Sequence, residues 1–169
     1  SEPTTFVGVR FGVPVTEQFV DCSNPKIGDP DYKRKLGIQW DLARQRITCF
    51  SRLGEFAELN IWPDIGLRVL GVTLTLAEAD SVEGVTVTMY RFDWMRMLDL
   101  LTAKFGEPQT HEIVAHSNLA GGQRDGGVYT WAWPGITLSL SEYGSKADES
   151  LVRVATARLV RWLKRESLQ

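Results

Sequence analysis

Between Val82 and Pro108 the spacing of apolar residues changes from two to three and four. Val85-Thr86-Val87-Thr88-Met89 alternates apolar and polar positions, the period of a half-buried strand. From Trp94 onward, Met97 or Leu98, Leu101 and Phe105 recur at helical intervals and share one face. Both ends of that helix carry signals. Asp93 is placed as N-cap, and Phe92 and Met97 are spaced for a hydrophobic staple. Lys104 suits the negative end of the helix dipole, Gly106 suits a C′ position, and Pro108 blocks continuation.

The same alternation predicts strands over Phe6–Phe11, Ile47–Phe50, Ala57–Ile61, Val72–Leu76, Gln109–His116, Val128–Trp133 and Ile136–Ser141. Val72–Leu76 and Val85–Met89 flank the acidic turn Glu78–Ser81 and read as a hairpin with Thr-rich outer faces. Thr16–Val20 reads as a short helical turn. Ile38-Gln39-Trp40 reads as an apolar island within a loop, packing down locally. Asn118–Gly127 reads as a polar, glycine-rich loop. Pro134-Gly135 reads as a tight turn with Gly135 at positive φ. At the C-terminal end two readings compete. Val152, Val154 and Thr156 are β-branched on one face and favour a strand over Leu151–Thr156 followed by a helix over Ala157–Glu166. The alternative is one helix over Asp148–Glu166.

Strands outnumber helices and come in consecutive runs, which disfavours alternating βα units. The expected fold is α+β: a twisted, mainly antiparallel sheet of about six or seven strands. One central amphipathic helix and a C-terminal helix are expected against one of its faces. The 169 residues fit a single domain over residues 1–169. No apolar run reaches the about 20 residues of a membrane-spanning helix.

Charge adds little except at one end. The net charge is −2, yet Arg153, Arg158, Arg161, Lys164 and Arg165 face only Glu166 within the last nineteen residues. The rest is acidic, which argues against nucleic acid as a partner on overall charge. The basic stripe could meet anionic lipid or an acidic partner, or serve as a solvated helix face.

The two cysteines, Cys22 and Cys49, flank a segment punctuated by Asn24-Pro25, Gly28 and Asp29-Pro30. A bridge there would stabilise the fold by about 3–4 kcal/mol on the chain-entropy argument. The even count favours a disulfide over two buried thiols, and the lack of a CxxC argues against a metal. The start Ser1-Glu2-Pro3 is one that signal-peptide removal would leave, as would a cloning junction. The expected location is therefore periplasmic or extracellular.

There is no GxSxG, HExxH or phosphate loop, and no cofactor site is expected. His111 and His116 are five apart, so a strand would send them to opposite faces. The sharpest binding candidate is Tyr129, Trp131 and Trp133, three aromatics on one strand face, with Arg124 and Asp125 in the preceding loop. That face is either core or an exposed recognition surface. The leading expectation is an exported, non-enzymatic protein that binds another macromolecule, of inhibitor, immunity or envelope accessory type, with a protein as partner. A carbohydrate- or small-ligand-binding module using the aromatic face is the alternative. A hydrolase with dispersed carboxylates is the third.

Overall fold

The two alternating runs around the acidic turn form the central hairpin of the computed structural model, which describes residues 1–22, 35–41, 46–51, 59–62, 67–117 and 121–168. In chain order the elements are β1 (Thr5–Phe6), β2 (Val9–Arg10), α1 (Val15–Gln18), β3 (Val20–Asp21), β4 (Lys35–Asp41), β5 (Arg46–Ser51), β6 (Leu59–Trp62) and β7 (Leu67–Leu76). They continue with β8 (Val82–Tyr90), α2 (Trp94–Phe105), β9 (Thr110–Ser117), β10 (Gln123–Ala132), β11 (Ile136–Ser141), β12 (Glu149–Thr156) and α3 (Ala157–Ser167). The fold is α+β.

Among the described residues ten strands make one sheet. Nine run in the order β3-β5-β4-β7-β8-β12-β11-β10-β9, and β6 pairs with β7 beside that path. The sheet is thus larger than the six or seven strands expected. Two stretches account for much of the difference. The Ile38-Gln39-Trp40 island is the middle of β4, which pairs β5 and β7. Val20, expected to end a helical turn, instead begins β3, parallel to β5. β3 is too short to show an alternation, and Gly37 with the charged ends Lys35 and Asp41 leaves β4 only a brief apolar run. Conversely, Phe6–Phe11 is not one strand. Val7 at φ 48° and Gly8 at φ 79° turn the chain back, pairing Thr5 with Arg10 and Phe6 with Val9. That is the two-residue loop of a tight hairpin, which needs positive φ at both positions. The turn-rich segment after Cys22, the start of the Ala57–Ile61 run and Asn118–Ala120 lie outside the described residues.

The remaining strand pattern holds. β7 and β8 pair antiparallel with Thr73 opposite Thr86, and β10 and β11 pair with Trp131 opposite Leu138. Strand then helix is the arrangement at the C-terminal end. The Pro134-Gly135 turn forms, with Trp133 and Ile136 exchanging backbone hydrogen bonds. Gly135 does not take positive φ. Its N–H donates to Glu2 Oε1 at 2.6 Å, which holds the N-terminal segment beside the turn.

One face of the sheet is the core. Val72, Leu74, Val85, Val87, Leu138, Leu140, Val152 and Val154 are buried there beneath Met97 and Leu101 of α2. Two expectations for the start of α2 are corrected. Asp93 ends a 3₁₀ turn (Arg91–Asp93) at φ −97°, ψ 0°, and its side chain makes no capping bond. Its buried carboxylate instead lies 3.8 Å from the Arg96 guanidinium. Because the turn runs straight into the helix, Asp93 is not in the extended geometry that aims a cap at the first N–H groups. Phe92 is 72% exposed and stacks on Tyr90, so no staple to Met97 forms. At the other end Gly106 has the expected positive φ, 82°, but sits at the C-cap with ψ −172°, outside the left-handed helical region, and donates its N–H to Thr102 O.

α3 does not share the face of α2. Leu159 sits over Gly84, where a Cβ would lie 3.0 Å from Leu159 Cδ2 and 3.1 Å from Thr75 Cβ. Gly84 precedes Val85 in a regular strand, so it points to the opposite face. A helix of only three turns with one buried residue, Leu159, cannot reach across a sheet edge to join α2. Cys22 and Cys49 lie at disulfide distance, Cα to Cα 5.7 Å, joining the segment after β3 to β5. Such a pair points to an oxidising, non-cytoplasmic compartment. Among the described residues no helix is long and apolar enough to cross a membrane.

Candidate functional site

The aromatic face lies between sheet and helix. Trp131 is 1% exposed, and its indole N–H donates to Gly106 O at 2.8 Å. Trp133 meets Phe105 edge-on at 5.6 Å between ring centroids, and Tyr129 stacks on Trp94 at 5.8 Å. All three rings therefore face α2, with Tyr129 and Trp133 half-buried. The alternation that put them on one face is the reason they contact one helix. The Tyr129 hydroxyl is held above its ordinary pKa, chiefly by burial and further by the charge of Glu142.

Arg124 and Asp125 are separate from that layer. They belong to β10 rather than to a loop, opposite His116 and Ala115 of β9. The glycines that suggested a loop are there to admit rings. A Cβ on Gly126 would run into the Tyr143 ring, and one on Gly127 would lie 2.9 Å from the Tyr129 ring. β11 reaches only to Ser141, opposite Val128. Beyond that point β9 and β10 continue as a two-stranded ribbon, exposed from Gln123 to Asp125.

The two histidines take opposite faces of this ribbon. His111 stacks on Tyr129 at 4.2 Å, so His111, Tyr129 and Trp94 form one stack from edge strand to helix. On the other face His116 lies 5.6 Å from Tyr143, whose ring is capped at 4.5 Å by the Arg91 guanidinium. Arg91 also pairs with Glu142 at 2.8 Å, and Glu142 accepts the Gly127 N–H at 2.9 Å. This clamp holds the base of the ribbon to β11.

The outer edge of β9 is open. Among the described residues β9 pairs with β10 alone, over eight positions without a register shift. Every residue from Thr110 to Ser117 is exposed except half-buried His116. Ile113 is 66% exposed and Val114 36%. The other end of the sheet contrasts with it. There β3 has two residues, and the Cys22–Cys49 pair follows it directly. A very short strand guards an edge against pairing, whereas a long, flat one with apolar side chains invites it. No sequence motif announces such an edge; the position of β9 at the end of the strand order is what makes it one.

The basic stripe of α3 lies elsewhere. Arg158, Arg161 and Arg165 line a groove of about 370 Å³ together with Trp162 and the β7–β8 turn. Arg158 pairs at 3.0 Å with Glu83, which is 3% exposed and also accepts from Ser81 at 2.7 Å and from the Thr156 hydroxyl. Among the described residues the buried carboxylates are Glu83 and Asp93, and they lie near opposite ends of β8. Seven residues of strand separate Glu83 from Tyr90, about 23 Å at about 3.3 Å per residue, whereas paired catalytic carboxylates stand about 5–10 Å apart. Among the described residues no three His, Cys, Asp or Glu side chains gather as a metal site. Comparison with family models, curated proteins and solved structures finds no match.

Proposed function

We propose that this is an exported, non-enzymatic protein that binds another protein, the partner adding an extended segment to the open edge of β9. The observation that carries the reading is that edge: eight residues of regular strand, unpaired on one side among the described residues, with Ile113 and Val114 exposed. Backbone N–H and C=O groups along such an edge supply affinity, and alternate side chains supply selectivity. Arg124 and Asp125 lie on β10, one strand behind β9, from where their long side chains would help select among partners. The Cys22–Cys49 pair supports an oxidising location outside the cytoplasm.

The alternatives have less support. A sugar or base stacks on a flat exposed ring, and Trp131 has its ring under α2. A carboxylate hydrolase needs two acids in one cleft, and Glu83 and Asp93, the buried acids among the described residues, do not share one. A photo-crosslinking side chain placed at Ile113 or Val114, in protein expressed in its native host, tests the proposal. The expected result is a specific protein adduct at those positions and none from Thr137, exposed on β11. Equal labelling from Thr137, or no adduct at β9, would remove the reading.

A further inference from the structure

We infer that the strand added to β9 is β9 of a second copy of this chain, in one particular antiparallel register; this rests on the reading of β9 as a strand acceptor. Antiparallel pairing of identical edges places a two-fold axis perpendicular to the sheet, so each face of one copy continues as the same face of the other. Residues on one face must then meet residues on that face. Glu112, Val114 and His116 share the face of Val128, Gly126 and Arg124, their opposites on β10. Ile113, Ala115 and Ser117 share the other face with Gly127, Asp125 and Gln123.

Charge chooses among the registers that obey this rule. Glu112 is the single acid of β9, and its bases are the two histidines. With Ile113 opposite the partner's Ile113, Glu112 faces an apolar valine. With Glu112 opposite the partner's Glu112, two like charges meet. With Val114 opposite the partner's Val114, Glu112 stands opposite the partner's His116, and the symmetry repeats the pair. The partner's Arg124 lies next in the same row, because His116 and Arg124 are themselves opposed in each copy. Side chains directly opposed in antiparallel strands lie about 5 Å apart at Cβ, near enough for the pair to form. In this register the exposed Ile113 also covers the partner's Ala115 on the other face. Seven described residues, His111 to Ser117, pair on each side. In that row the partner's Glu112 meets the His116 imidazole, with the Arg124 cation one strand behind it, where the single chain gives the acid only Val128 opposite.

Sedimentation velocity and single-cysteine crosslinking of the full chain test the inference together. The wild-type chain is expected to sediment at twice the monomer mass. V114K, a solvent-side change on an edge strand, should sediment as monomer and still unfold cooperatively, with a melting temperature lowered only to that of the wild-type chain diluted below its dimer dissociation constant. E112K should do the same, and the exchange E112H/H116E should restore the dimer. Under mild oxidation V114C should form a symmetric interchain disulfide faster than I113C, as only this register places position 114 opposite itself. A monomeric wild-type chain, a dimer indifferent to V114K, or faster crosslinking through I113C would each overturn the inference. A monomer that still gives a protein adduct from Ile113 would overturn self-pairing alone and leave the strand-acceptor reading in place.

Discussion

The indole N–H of Trp131 donates to the carbonyl oxygen of Gly106 at 2.8 Å, tying the middle of β10 to the residue that ends α2. Gly106 takes φ 82°, and that conformation leaves its carbonyl free of the helix and turned to the indole. Trp131→Phe keeps an aromatic ring but loses the bond and part of the indole volume, at a cost of about 1–3 kcal/mol. Trp131→Ala also opens a cavity and should cost about 3–5 kcal/mol. Urea melts of the two variants check the order, which reverses if Trp131 is not packed.

Helix α2 closes the core through few residues, and Leu101 is one of its two buried side chains. Leu101→Ala should destabilise the fold by about 2–5 kcal/mol. Exposed Met95, on the outer side of the same helix, supplies the control. Met95→Ala should stay within about 0.5 kcal/mol of wild type. Equal effects of the two substitutions in denaturant melts would contradict the packing described.

These residues show how far local pattern reaches. Period alone locates β7, β8, α2 and β11, because each is long enough to repeat its alternation several times. It also orders strand before helix at Leu151–Glu166, where β-branching at Val152, Val154 and Thr156 decides. What it misses depends on distant parts of the chain. Gly126 and Gly127 look like loop residues until the rings of Tyr143 and Tyr129 are seen lying against them. Asp93 looks like a cap because its neighbours do, while the preceding turn has already set its backbone. That β9 is the last strand of the sheet is a property of the strand order, which local spacing does not encode. The candidate site was therefore half legible: Arg124 and Asp125 belong to the exposed ribbon, and Ile113, Val114 and Glu112 carried no signal.

Thr156 links α3 to the buried acid of β8. Its hydroxyl oxygen accepts from the Leu159 N–H at 3.2 Å and donates to Glu83. Thr156→Ala removes the cap and one partner of Glu83 together, with an expected cost of about 1–3 kcal/mol. Thr156→Ser keeps both bonds and should lose much less. Amide exchange at Leu159 and Val160 gives the local readout: faster in the alanine variant, near wild type in serine.

The Cys22–Cys49 pair closes a separation of 27 residues. Cross-linking a loop of that size removes unfolded-state entropy worth about 3–4 kcal/mol. Cys22→Ser/Cys49→Ser should lower stability by about that amount without changing the sedimentation of the chain, because the pair lies at the sheet end far from β9. Non-reducing peptide mapping of natively purified protein should recover the two cysteines in one linked peptide. Two free thiols would remove the stabilisation and with it the support for an oxidising location.

Tyr129 makes the alkaline limb of stability specific to one residue. Its hydroxyl is raised above 10.0, first by burial and second by the Glu142 carboxylate, and both disfavour the phenolate in the folded state. In the unfolded chain the group loses its proton near 10.0, so above that pH the unfolded state releases a proton that the folded state retains. The folded state then binds more protons, and stability must fall as pH rises from there through the folded pKa. Below 10.0 the contribution is fully present and flat with pH. Tyr129→Phe keeps the stack with His111 and Trp94 but has no proton to lose. Denaturant melts in steps across this range should show the wild type losing stability more steeply than Tyr129→Phe. Parallel curves for the two proteins would mean that the hydroxyl reaches water and that the ring stack at the base of the ribbon is open.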